Sequence, residues 1–97
     1  MTALLSEQQI SDALGELPEW HREGEAITRS AKLPSFPEAI TAVDRIAEIA
    51  ERADHHPDID IRWRTLTFTC ATHSEGGITE KDTRLATEID NVLASFG

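Results

Sequence analysis

The chain is poor in cysteine, in cations and in long apolar runs, and each shortage removes a class of protein. A single cysteine, Cys70, cannot close an intramolecular disulfide, so a disulfide-stapled secreted scaffold is excluded. Nine Lys and Arg stand against eighteen Asp and Glu, a formal net charge of −9, which repels nucleic-acid phosphate and anionic membrane surfaces. Direct nucleic-acid binding is therefore not expected. No window approaches the roughly 20 consecutive apolar residues that a spanning helix needs, so no membrane role is expected. Met1 to Leu5 runs straight into Ser6-Glu7 without a basic segment and a long apolar one, and the expected location is the cytoplasm. Glycine and proline are few and occur singly apart from Gly76-Gly77, leaving no linker, repeat or low-complexity tract.

What is present is a balanced globular composition, 39% apolar and 28% charged over 97 residues. A chain of this length buries about 65% of its unfolded surface, enough for one core, and residues 1–97 are expected to form a single domain. Ser6 with Gln9 has the form of a capping box, and Ile10, Ala13, Leu14 and Leu17 follow at helical spacing, predicting a first helix over about 7–14. Trp20 to Arg22, a turn centred on Gly24, and Ala26 to Leu33 read as two strands, with Ile27, Arg29, Ala31 and Leu33 on one face. Ser35 and Glu38 form a second box, and Phe36, Ile40, Val43, Ile46, Ala47 and Ala50 predict a helix over about 36–53. Beyond His55-His56-Pro57 the apolar period becomes two: Ile59, Ile61 and Trp63 on odd numbers, then Leu66, Phe68 and Cys70 on even ones. That phase change near Arg64-Thr65 demands a tight turn or a bulge. Thr79 to Asp82 caps a third helix with a stripe of Leu85, Ala86, Ile89, Val92, Leu93 and Phe96. The order α-β-β-α-β-β-α predicts an α+β domain, a four-stranded antiparallel sheet with three helices packed on one face.

Three of the four histidines, His55, His56 and His73, fall within nineteen residues, bracketed by Glu51 and Asp82. If the intervening strands form a hairpin of equal arms, its entry and exit lie at the same end of the sheet, which brings the pair and His73 close. Neighbours in extended chain point opposite ways, so His55 and His56 can hardly both face one small site squarely without a kink. Histidine both gives and takes a proton near neutrality, which favours acid–base chemistry. Two other readings stay open on residue types alone, incidental histidines in a solvated loop and a zinc site from His55 or His56, His73 and Cys70. The latter has poor ligand spacing, and Cys70 lies on the apolar phase of its strand. Residue types reach this far and name no substrate.

The segments Glu51 to Ala53, Asp54-His55-His56-Pro57, Ile59 to Trp63, Thr72-His73 and Gly77 to Asp82 resemble the pterin-4a-carbinolamine dehydratases. That family's pattern is an acidic or polar residue four before a His-His-Pro triplet, an aromatic soon after, a third histidine ending the next strand, and an aspartate opening the last helix. All five elements stand here in order, and the likeness extends to Trp20 after Leu17-Pro18.

The resemblance implies a hydro-lyase that removes water from a 4a-hydroxytetrahydropterin to give the quinonoid dihydropterin, the tetrahydrobiopterin-recycling step after aromatic amino-acid hydroxylation. It implies no cofactor and no metal. Carried across by position, His55 and His73 would be the acid–base pair, His56 would orient the pterin, and Asp82 would hold one imidazole. Glu51 is a second candidate for that holding duty. Substrate contacts would come from Asp54, His55 and His56 on one loop edge and Thr72, His73 and Ser74 on the other, with Trp20 and Trp63 as candidate walls. The resemblance also implies a homodimer or homotetramer, and a protein partner such as an aromatic amino-acid hydroxylase. Its alternative is a non-catalytic binding or assembly-cofactor protein of the same fold.

Overall fold

In the computed structural model of the protein, which describes residues 2–96, the elements follow the expected order. They are α1 (Glu7–Gly15), β1 (His21–Glu23), β2 (Ala26–Lys32), α2 (Phe36–Ala53), β3 (Asp58–Arg62), β4 (Thr65–Cys70), a 3-10 turn (His73–Glu75) and α3 (Glu80–Ala94). The strands form one antiparallel sheet in the order β1-β2-β4-β3.

Both Ser6 and Thr79 close complete capping boxes, with Gln9 and Asp82 returning to the cap backbone. The expected box at Ser35 is only half formed, since Ser35 accepts from the Glu38 N–H but the Glu38 side chain does not return to the cap backbone; Pro37 is tolerated in the first turn, where no intrahelical donor is needed. On the sheet, Ile27, Arg29 and Ala31 lie opposite Cys70, Phe68 and Leu66, and Ile59 and Ile61 lie opposite Phe68 and Leu66. This face meets the helices. The other face carries Thr28, Ser30 and Lys32 beside Thr69, Thr67 and Thr65, and is held by polar contacts such as Ser30 to Thr67 at 2.8 Å. One apolar cluster joins Ile10 of α1, Ile46 of α2, Leu85 and Ile89 of α3, and Phe68 of β4.

Two expectations are corrected. The stripe of α2 is rotated: Ala39, Ala42, Ile46 and Ala50 are buried, whereas Phe36 and Ala47 are exposed. Small alanines let the helix come close to its neighbours, so the buried sector follows them rather than the largest apolar residues. Trp63 does not continue β3. It sits in the two-residue turn between the paired Arg62 and Thr65, at φ 55°, with its side chain in solvent and the Arg64 guanidinium 4.8 Å from its ring centre. That turn is the phase switch, since pairing odd residues with even ones across it puts both apolar sets on one face.

Cys70 is fully buried under the helices, and burial, then the charges of Asp82 and Asp58, push its thiol up to about 12. At pH 8 only about one thiol in ten thousand would be ionised, and the thiolate is the reactive form. Cys70 is therefore expected to resist alkylation by iodoacetamide in the folded protein and to react fully in denaturant. Labelling of the folded chain within minutes would show that its core opens locally.

Candidate active site

The end of α2 aims the first histidine. Asp54 adopts a left-handed conformation, φ 51° and ψ 43°, its N–H bonds to Glu51 O at 3.2 Å, and the His55 N–H bonds to Ala50 O at 3.0 Å. This is a Schellman arrangement, and aspartate tolerates the left-handed region better than most residues. The chain turns sharply there, so the two adjacent rings diverge. His55 Nε2 meets Asp82 Oδ1 at 2.6 Å with only 10% of its side chain exposed, while His56 Nε2 meets Glu51 Oε1 at 2.8 Å in solvent.

Asp82 is completely buried and serves two purposes. One oxygen takes the imidazole of His55. The other accepts the Thr79 N–H at 2.9 Å, completing the cap of α3, and the Thr72 hydroxyl at 2.8 Å. Thr72 and Thr79 are themselves joined, hydroxyl to hydroxyl, at 2.7 Å. Because a carboxylate can only accept, His55 must present Nε2–H to it. The other ring nitrogen, Nδ1, is then the one that can take up or release a proton. A carboxylate behind a histidine in this way fixes the ring's tautomer and orientation.

The remaining expected residues are placed differently from one another. His73 and Ser74 lie exposed in the 3-10 turn just beyond Thr72, rather than at the end of β4. Thr72 is held within the fold: its N–H donates to Gly77 O at 2.9 Å, and its carbonyl accepts from Glu75 and Gly77. With its hydroxyl on Asp82 and Thr79, every polar group of Thr72 is engaged within the protein. Trp20 is a core residue, 4% exposed, whose indole N–H donates to Asp90 Oδ1 at 2.8 Å beside Arg29. Asp90 is eight residues along α3 from Asp82, about 12 Å down the helix axis. Trp63 lies at the opposite end of the β3–β4 hairpin from His55. Both tryptophans thus lie away from the His55–Asp82 pair. Trp20→Phe is expected to cost about 1 kcal/mol by removing one hydrogen bond, with KM unchanged; a raised KM would restore the ring-wall role.

Sequence reasoning missed the part played by Thr79, although its cap signal was legible. It also did not single out the cavity of about 390 Å³ between the end of α2 and the start of α3. His55 lines this cavity together with Ile49, Arg52, Lys81, Arg84 and Leu85. The zinc reading finds no support, for Cys70 is buried, and among the described residues no group of three or more His, Cys, Asp or Glu is arranged to hold a metal ion. No helix among them is long and apolar enough to cross a membrane.

Comparison with known proteins agrees on one family. The family model described as "Pterin 4 alpha carbinolamine dehydratase" matches residues 3–92. A Nocardia farcinica protein is 59% identical over 94% of this chain and 96% of its own length. A Mycolicibacterium smegmatis protein is 55% identical over 95% and 98%. Both bear the name "Putative pterin-4-alpha-carbinolamine dehydratase". The solved structure of a transcriptional coactivator/pterin dehydratase from Brucella melitensis matches with a TM-score of 0.91 at 35% identity, covering 94% of this chain and 99% of that one. A pterin dehydratase-like protein identified as a RuBisCO assembly factor in the alpha-carboxysome shares the fold, with a TM-score of 0.63 at 16% identity over 76% and 86%. From the match across residues 3–92 and relatives more than half identical over nearly the whole chain, this protein belongs to the pterin-4-alpha-carbinolamine dehydratase family.

Proposed function

We propose that the chain is a hydro-lyase that converts a 4a-hydroxytetrahydropterin into quinonoid dihydropterin and water. The bond from C4a to its hydroxyl oxygen breaks, N5 gives up its proton, and a double bond forms between them. No electrons leave the substrate, so one acid and one base suffice. His55 and His73 are that pair: one protonates the departing hydroxyl and the other accepts the N5 proton. His56, with Glu51 behind it, orients the pterin, and Asp54, His55, His56, His73 and Ser74 contribute the contacts along the two loop edges. The observation that carries this reading is the His55–Asp82 pair, 2.6 Å apart and nearly closed to solvent, in a chain of this family. It supplies a histidine held in one tautomer with its second nitrogen free for proton exchange.

The physiological setting proposed is recycling of the pterin after aromatic amino-acid hydroxylation, with the hydroxylase as a protein partner. Phe36, Ile61 and Trp63 are exposed at 47%, 41% and 68%, and β3 is an edge strand, which supports a homodimer or homotetramer.

The test follows the absorbance of 4a-hydroxytetrahydropterin generated in place by a hydroxylase, with and without this protein and with a strong chelator throughout. Accelerated decay that the chelator leaves unchanged is the expected result. No acceleration would overturn the enzymatic reading and leave a binding or assembly role for the same fold. Acceleration abolished by the chelator would overturn the metal-free mechanism.

A further inference from the structure

We infer that the hydroxyls of Thr72 and Thr79 are positioning groups for His55, acting through Asp82 as one directed chain of hydrogen bonds that also ties the turn bearing His73 to His55. This rests on the proposed role of His55 as acid or base. Proton counting fixes the direction of the chain. Asp82 Oδ2 accepts, so Thr72 must donate to it, and that uses the only proton on the Thr72 hydroxyl. The 2.7 Å contact between the threonines then requires Thr79 to donate to Thr72. Thr79 is free to do so, because its oxygen is the acceptor of the Lys81 N–H at 3.2 Å. The reverse direction would set the Thr72 oxygen against Asp82 Oδ2 at 2.8 Å with no proton between them. Thr72, Thr79 and Asp82 are all buried, and in such a setting an unmade hydrogen bond is costly and a complete network is rigid.

The consequence is geometric. With two donors on one oxygen, the Asp82 carboxylate cannot rotate, and its other oxygen stays aimed at His55 Nε2. Thr72 also forms the base of the 3-10 turn, with Glu75 N–H and Gly77 N–H on its carbonyl. One side chain therefore sets where Asp82 points while its backbone sets where His73 stands. A substrate held between the two histidines meets them at a separation that this threonine governs, although no polar group of Thr72 is free to touch it.

Thr72→Val removes the hydroxyl with little change of shape, and Thr72→Ser restores it. Two quantities distinguish positioning from bulk stability: the split between kcat and KM, and the NMR signal of the His55 Nε2–H proton in the unliganded protein. The valine variant is expected to lose roughly tenfold in kcat with KM within about twofold, and to lose or broaden the Nε2–H signal. Serine should recover both. A valine variant that melts lower but keeps wild-type kcat and an unchanged signal would overturn the inference, and so would a raised KM with kcat intact, which would make Thr72 a substrate contact. If the valine variant does not fold, Thr79→Ala removes the donor to Thr72 and is read by the same two quantities. The NMR arm needs no turnover. A signal that depends on Thr72 in a protein without dehydratase activity would refute the proposed function and not the hydrogen-bonded chain, whereas an active protein whose signal and kcat ignore Thr72 would refute the chain alone.

Discussion

His55→Ala is expected to lower kcat for the proposed dehydration at least about a hundredfold, the usual scale for loss of an acid or base. On the proposed mechanism, the substitution removes the ring whose second nitrogen exchanges the proton. It also strips Asp82 Oδ1 of its donor inside a fully buried site, so a stability loss of about 2 kcal/mol should accompany it. His55→Gln, whose side-chain amide can donate to Asp82, separates the two effects: stability should return while activity does not. His73→Ala supplies the contrast. Its side chain lies in solvent in the 3-10 turn, so its loss should leave stability within about 0.5 kcal/mol while still lowering kcat by about a hundredfold. Steady-state kinetics and thermal melts of the three variants decide the matter. Full activity in His55→Gln would show that the ring serves the fold and not the reaction.

Asp82→Asn should be nearly as damaging to turnover, at least about a hundredfold in kcat, although it changes a single atom. A carboxylate accepts on both oxygens, and the amide accepts on only one. If the amide oxygen faces His55, the NH2 group points at the Thr79 N–H and the Thr72 hydroxyl, and donor meets donor. If the amide is flipped, its NH2 faces His55 Nε2, which drives the ring to the other tautomer and protonates Nδ1. The first arrangement weakens the cap of α3, and the second blocks the proton exchange proposed for Nδ1. A stability loss of about 1–3 kcal/mol is expected in either case, because a buried donor or acceptor is left unmatched. Nitrogen chemical shifts of His55 report which tautomer is present. Retention of both the wild-type tautomer and wild-type kcat would refute the account of Asp82 given above.

The parts of this protein that were legible in the chain are those whose partners lie within a turn or across a tight hairpin. The capping boxes at Ser6 and Thr79, the turn at Gly24 and the boundaries of α2 depend on contacts three to five residues apart, and the structure places them as expected. The divergence of His55 and His56 was likewise implied by adjacency alone. The order of elements then left one economical way to bury the apolar stripes, a sheet with its helices on one face.

What spacing could not supply is the rotation of packed elements and the identity of distant partners. Choosing Phe36 and Ala47 for the buried stripe of α2 followed apolar identity, but the buried sector is selected by how closely the helix can approach its neighbours, and the alanines at 39, 42 and 50 allow the closest approach. Trp20 and Trp63 look alike as aromatics, yet one is buried against Asp90 and the other stands in solvent on a turn. The sequence determined by itself that His55 and His56 would lie near His73 at one end of the β3–β4 hairpin, with an aspartate opening the last helix. Only the tertiary structure decided which histidine meets Asp82 and that Thr72 holds that carboxylate, because those bonds join residues 27 and 10 positions apart in the chain, and both form only when the β3–β4 hairpin closes beneath α2 and α3.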